Sequence, residues 1–368
     1  MDDLSSSQSG RTVASDYMHF AKLNVGARFN LATSGVADCV LADIAPSAAD
    51  LVLHDGAGYG WPTLTETIAG RFGVDPACVV IPGGGCSFAN HLAMAAMVTP
   101  GDEVLVETPG YELLVSTLSY LGAKVRTFER APGSRWRLDA AAAAAQISPA
   151  TRLVVVTNLH NPSGARADDG QIAALARAAP RLLVDEVYRE LTFGDGPAHT
   201  AFKEDGNIVV TSSLTKAYGL SGLRCGWILA PRALAERMRR LNDLFGVKPA
   251  HIAERLAVVA FGRLPALRAR ADALIEPNRA AYREILGAHP ALDQTVFDEG
   301  TTVFPRLRRG DGDSFLRLTT EGFETSVGPG RYFGRPDHIR IGLGGDPGVT
   351  REGLTRIAEA LETWEAGG

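Results

Sequence analysis

Between residues 64 and 230 the chain repeats one pattern, a short run of Val, Ile and Leu followed by a stretch with helical character. The runs are "ACVVIPG" (77–83), "DEVLVETPGY" (102–111), "AKVRTF" (123–128), "RLVVVTN" (152–158), "RLLVDEVY" (181–188), "NIVVTSS" (207–213) and "GWILA" (226–230). Their apolar residues are mostly continuous rather than alternating with polar ones. A strand of that kind is buried on both faces, which is the signature of a mostly parallel sheet covered by helices. The spacing therefore predicts an α/β domain in layers. The Ala-rich "LDAAAAAAQI" predicts a helix that Asp139 caps.

After residue 231 the pattern changes to long helices, "PRALAERMRRLNDLF", "AHIAERLAVVAFG" and "LPALRARADALIEPNRAAYREIL". Strand-like pieces follow at 301–308, "FETSVGPGRYFG" and 337–344, with a last helix from Arg351. This reads as a smaller α+β domain. At 368 residues the chain is long for one core, so two domains are expected. The expected division is a large domain over 46–245 and a small one over 246–368. The first 45 residues have no place in the alternating series and are expected to pack with the small domain.

Composition narrows the function. A net charge of -5 leaves no basic footprint for nucleic acid, and "ERMRRL" (236–241) has the spacing of a solvated helix face. No apolar run approaches the length of a membrane span. The polar start "MDDLSSSQSG" lacks the apolar stretch of a secretory signal and reads as a disordered tail. Cys39, Cys78, Cys86 and Cys225 are scattered without ligand or disulfide spacing, so no metal is expected. A cytoplasmic protein is the expectation.

In open parallel sheets, ligands bind where the strands end at their carboxyl termini. Each run here ends in polar residues. "PGGGCS" (82–87) leads straight into a helix, and its backbone N–H groups suit an anion such as phosphate, although a tight turn alone also explains the glycines. Asn161 in "NLHNPSG" is either turn chemistry or an amide aimed into the crevice; His160 beside it reads as structural. Asp185, ending a short apolar run, needs a cationic or hydrogen-bonding partner, in a site or in a buried ion pair. Tyr188 lies three positions on. Lys216, one of only five lysines, follows the run ending at Ser213. A surface lysine is the plain alternative. Together these groups place an anion cradle, an amide, an acid, a phenol and an amine at neighbouring strand ends.

On "NPSG", "DEVY" and "SLTKAYGLSGLRCGW" the chain resembles fold type I pyridoxal 5'-phosphate (PLP) enzymes, and among them the class I/II aminotransferases. The resemblance runs from "YGWPTLTETIA" to "HIRIGLG" and implies the aspartate aminotransferase-like fold. It implies that Lys216 forms a Schiff base with PLP and shuttles the Cα proton. Arg224, Ser213 and the backbone at Gly85, Cys86 and Ser87 would hold the phosphate. Asp185 would pair with the ring nitrogen, which keeps the ring an electron sink. Tyr188 and Asn161 would touch the ring oxygen, and Tyr111 would stack on the ring. Arg340 would grip the substrate α-carboxylate with its planar fork, with Gly35 and Asn161 beside it. A homodimer with amino-acid and 2-oxo-acid substrates is also implied.

Two positions depart from the family pattern. Where a tyrosine often reaches the partner subunit's phosphate this chain has Asp55, a poor phosphate ligand, and Tyr59 is the nearby candidate. Cys86 stands where a small residue or Thr is common, a change that leaves backbone donation intact.

Transamination of an L-α-amino acid is the reading the resemblance implies most directly. Residues 152–164 and 211–227, "GTTVFP" and "GRYFGRPDHIRIGLG" are also similar to the capreomycidine synthase group. A PLP lyase or cyclase is therefore the alternative, since pocket walls decide which Cα bond breaks. An effector-sensing regulator would need an added DNA-binding domain, for which there is no segment before residue 35.

Overall fold

The computed structural model describes residues 12–23, 26–54, 58–192 and 198–366. The N-terminal tail and Asp55 lie outside them. A short helix α1 (Asp16–Leu23) and strand β1 (Phe29–Asn30) come first, then α2 (Leu41–Ile44) and α3 (Pro62–Phe72). The alternating series follows: β2 (Val79–Val80), α4 (Gly85–Met97), β3 (Glu103–Thr108), α5 (Glu112–Tyr120), β4 (Lys124–Glu129), α6 (Ala140–Ala144), β5 (Thr151–Thr157) and α7 (Asp169–Ala178). It ends with β6 (Leu182–Asp185), β7 (Ile208–Ser213), α8 (Thr215–Tyr218) and β8 (Gly226–Leu229).

These strands form one seven-stranded sheet in the order β2-β8-β7-β6-β5-β3-β4. Only β8 runs against its neighbours. Leu153 and Val155 face a core shared with α4, α5 and α9 (Arg232–Asn242), while Val154 and Val156 face one shared with α7. Both faces are covered, which is why the runs read as continuous rather than alternating. Asp139 accepts from Ala141 and Ala142 N–H and caps α6 as its sequence predicts.

The helices α10 (His251–Phe261) and α11 (Leu264–Ile285) follow. Ala257, Ala260 and Leu267 still pack into the core under the large sheet, whereas Ala281 and Tyr282 belong to a second core. That second core gathers Phe29, Leu31, Phe315 and Ile341 from both ends of the chain. Its strands are short: β9 (Leu292–Asp293), β10 (Thr302–Val303), β11 (Arg306–Leu307), β12 (Thr325–Ser326), β13 (Gly328–Pro329) and β14 (Ile339–Gly342). The run 301–308 divides at Pro305, which has no N–H to offer a ladder. β1 pairs in parallel with β12, Phe29 opposite Thr325. Helices α12 (Gly312–Phe323) and α13 (Pro347–Ala366) cover this side, α13 starting four residues earlier than the sequence reading placed it because Pro347 suits a first helical position. Among the described residues no helix is long and apolar enough to cross a membrane.

Candidate active site

A cavity of about 170 Å³ opens at the carboxyl ends of β5, β6 and β7, walled on one side by the start of α4 and on another by α1. Cys86, Ser87, Tyr111, Asn161, Asp185, Tyr188, Ser213, Lys216 and Arg224 all line it. Nine positions scattered over 139 residues of sequence thus meet at one place, and the sheet is the reason: eight sit at or just past the carboxyl end of a parallel strand, and Arg224 precedes the antiparallel β8, whose start lies beside the end of β7.

Lys216 is the lysine that lines this cavity. Burial pushes the Lys216 amine below the ordinary lysine range, with Arg340 and Arg224 adding repulsion and the Tyr17 phenol opposing both. No hydrogen bond or ion pair to its amine occurs among the described residues. Gly35 lies against its stem: a Cβ there would meet Lys216 Cδ at 3.2 Å. That contact is a physical reason for glycine at 35, and it places Gly35 beside the lysine in an adjoining cavity.

Asp185 is held from every side. Its Oδ2 accepts from Asn90 Nδ2 at 2.7 Å, and its Oδ1 accepts from Val187 N–H at 3.0 Å and Cys86 Sγ at 3.4 Å. Burial raises the carboxyl above its ordinary value, and these donors pull it back towards the charged form. Thr211 Oγ1 in turn donates to Asn90 Oδ1 at 2.6 Å. The Cys86 thiol, pushed well up by burial and by Asp185, stays protonated and acts as a donor.

The anion cradle comes from backbone geometry. Gly83, Gly84 and Gly85 have φ of 75°, 68° and 73°, three successive left-handed residues that only glycine adopts without strain. Gly85 N–H is taken by Arg224 O at 2.7 Å, while the Cys86 and Ser87 N–H groups, in the first turn of α4, donate to no described residue. A Cβ at Gly85 would sit 2.8 Å from Arg224 Nη2, and one at Gly226 would sit 2.5 Å from the Gly85 carbonyl carbon. The two glycines let β8 and Arg224 close against the helix start. Arg224 Nη2 donates to Gly84 O at 2.6 Å. Thr215 Oγ1 is buried and has no partner among the described residues.

Tyr188 is buried, and its phenol is pushed well above its ordinary value by desolvation, with Arg340 and the Ser34 hydroxyl partly offsetting this. Asn161 N–H donates to Thr157 Oγ1 at 3.0 Å, and its Oδ1 accepts from Arg340 Nη1 at 3.2 Å. Asn161 therefore joins the cavity to Arg340, which has no exposed surface.

Tyr59 is the exception. It is exposed, lies in a separate cleft with Arg239 and Val247, and has its hydroxyl 3.4 Å from Asp243 Oδ2, so it does not reach this chain's cavity. Sequence reasoning also missed Tyr17, Ser34, Asn90 and Thr157, all of which line the cavity. Asn90 carried a signal, a polar residue one turn after Cys86 on the buried side of a largely apolar helix. It missed as well the Glu107–Arg130 ion pair, fully buried behind Thr157, whose N–H and hydroxyl both bond Glu107.

The family model for aminotransferases of class I and II matches residues 34–361. Capreomycidine synthase of Streptomyces vinaceus is 34% identical over 330 residues, 86% of this chain and 83% of its own. Histidinol-phosphate aminotransferase of Rhodospirillum centenum is 30% identical over 327 residues, 86% of this chain and 85% of its own. Among solved structures, the PLP-dependent cyclase OrfR superposes with a TM-score of 0.85 at 25% identity, covering 96% of this chain and 98% of its own.

The residues in the cavity fit PLP. N–H groups at a helix start that donate to no described residue, with Arg224 beside them, suit a phosphate; the shielded Asp185 suits a protonated ring nitrogen; Tyr188 and Asn161 suit a ring oxygen; and a lysine amine without a partner among the described residues suits an aldehyde.

Proposed function

The chain belongs to the class I and II aminotransferases, with pyridoxal 5'-phosphate as its cofactor, and from that premise we propose that it moves the amino group of an L-α-amino acid to a 2-oxo acid. The observation that carries the proposal is Lys216: a buried amine, depressed in pKa and without a hydrogen-bond or ion-pair partner among the described residues, beside a fully bonded Asp185 and within the reach of Arg340's charge. Lys216 would carry the cofactor covalently, with Asp185 at its ring nitrogen, Tyr188 and Asn161 at its ring oxygen, Tyr111 on its face, and Arg224, Ser213 and the Gly85–Ser87 backbone at its phosphate.

When bound, PLP supplies a sink for the electron pair left on the substrate's Cα. The chain supplies the rest. Arg340 fixes the substrate by its α-carboxylate through a charge-assisted hydrogen bond. Burial keeps the Lys216 amine neutral at a lower pH than a surface lysine, so it can accept the Cα proton and return it elsewhere. Asn161, bonded to Arg340, couples the substrate seat to the cofactor seat. Gly35 leaves the lysine stem room to move.

We also read the chain as a homodimer. Leu53, Leu244, Phe245 and Val247 are exposed apolar residues, the last three next to Asp243, the partner of the Tyr59 hydroxyl, and apolar patches of this kind support a subunit contact. Tyr59 would then face the partner's site.

A second reading is supported by the 34% identity to capreomycidine synthase and the similarity to a PLP-dependent cyclase. Elimination and ring closure would use the same lysine and arginine. Incubating the PLP-loaded protein with single L-amino acids and no 2-oxo acid separates the two. Transamination releases one equivalent of 2-oxo acid per site, stops, and resumes when a 2-oxo acid is added. Sustained turnover without an acceptor, with ammonia or a cyclic product, overturns it in favour of the second reading.

A further inference from the structure

Arg340 is a buried cation with no ion pair among the described residues. Its Nη2 donates to Ala32 O and to the Tyr17 hydroxyl, each at 2.7 Å, and its Nη1 to Asn161 Oδ1 at 3.2 Å. Its Nε has no partner among the described residues. A buried guanidinium surrounded only by neutral acceptors is costly unless an anion completes it.

Tyr17 is the unexpected member of this set, because it comes from α1 and not from the sheet. Its ring is wedged edge-on against Tyr111, Tyr332 and Phe333 at centroid distances of 5.5, 5.6 and 5.7 Å. Phe333 also lies 4.8 Å from the Arg340 guanidinium carbon. The helix itself is pinned: Ser15 Oγ donates to Glu112 Oε2 at 2.5 Å, and Tyr111 OH lies 3.4 Å from Met18 Sδ. The phenol oxygen is therefore held in place by packing on three sides. It accepts from Arg340, so its own proton points elsewhere, and that proton has no acceptor among the described residues. Burial opposes ionisation of the phenol, but Arg340 and Lys216 together outweigh it and draw the phenol below its ordinary value, which makes it a strong donor.

We propose that Tyr17 is a second donor to the substrate's α-carboxylate, so that Arg340 and a phenol delivered by α1 together form the anion seat and make an α-carboxylate a requirement for binding. The proposal rests on the reading of Arg340 as the carboxylate anchor. Arg340 Nη2 keeps Ala32 O as an acceptor if the hydroxyl is removed, so the free protein loses little and the loss falls on the bound state.

The test is a ligand-observed NMR titration of the PLP-loaded protein with propionate, a carboxylate without an amine, and with ethylamine, an amine without a carboxylate. Tyr17→Phe retains the ring packing and is expected to weaken propionate about 10- to 100-fold, the range for a hydrogen bond to a charged group. Ethylamine should change by less than about twofold. Arg340→Gln should weaken propionate at least as much, and Ser15→Ala, which loosens α1 without touching the phenol, should leave it unchanged. Propionate binding unchanged in Tyr17→Phe but lost in Arg340→Gln would overturn the role of Tyr17 and leave the anchor standing. Propionate unchanged in both variants would overturn the anchor and the proposal with it. A loss in Ser15→Ala matching that in Tyr17→Phe would assign the effect to helix docking and overturn the role of the hydroxyl.

Discussion

Asp185 and Arg340 are both fully buried charged groups of one site, and they are treated in opposite ways. Asp185 ends a central strand, and its two oxygens take three donors that belong to the protein. Arg340 lies on a four-residue strand of the second core, keeps a donor without a partner and has no counter-ion among the described residues. The first arrangement suits a charge held in place for a group that stays. The second suits a group that comes and goes. On the proposed function, a resident cofactor and a transient substrate would make those two demands on the two halves of the site.

This contrast orders the expected effects of mutation. Lys216→Ala removes the proton carrier and should reduce turnover about 10³-fold or more, near the upper range for a general base together with the loss of the covalent anchor; steady-state kinetics checks it. Asp185→Asn removes the carboxylate proposed to face the ring nitrogen and should reduce kcat about 10²- to 10³-fold, as leaving a buried charge without its partner does. Arg340→Gln breaks the substrate half and should appear mainly as a rise in KM of about 10²-fold, with PLP retention unchanged by absorbance. Equal effects of Asp185→Asn and Arg340→Gln on cofactor retention would erase the distinction between the halves.

A smaller effect concerns stability alone. Burial pushes the Glu186 carboxyl up to about 7, next to Asp185 in sequence but turned away to accept from Ala201 N–H at 2.9 Å. Its folded value is raised, so the stability it contributes is present below the unfolded carboxyl's pKa and is lost as pH rises through about 7. Glu186→Gln keeps the acceptor and should flatten the stability profile between pH about 4.5 and 7 by about 3 kcal/mol, read from denaturant midpoints.

The cofactor half was the more legible of the two for a physical reason. A residue at the end of a continuous apolar run has its position fixed by the sheet, so Asp185, Asn161, Ser213 and Lys216 declare themselves by where the run stops. The three glycines before α4 likewise carry a backbone requirement in their identity. The substrate half has no such frame. Tyr17 in "SDYMHFAKL" has the spacing of an ordinary core aromatic on an amphipathic helix, and only the fold brings it 323 residues along the chain to Arg340. Gly35 was placed by resemblance, and its reason, the approach of the Lys216 stem, is visible only in three dimensions. The short strands of the second core were hard to delimit because two-residue ladders leave little periodicity to read.

The most direct measurement is exchange of the Cα hydrogen of a reacting L-amino acid with solvent deuterium, followed by NMR without a 2-oxo acid acceptor. If Lys216 carries the Cα proton, the PLP-loaded wild type exchanges it and Lys216→Ala, supplied with the same cofactor, does not. Exchange in Lys216→Ala at a rate near the wild type would mean that another group moves the proton, and the central role given to Lys216 would be wrong.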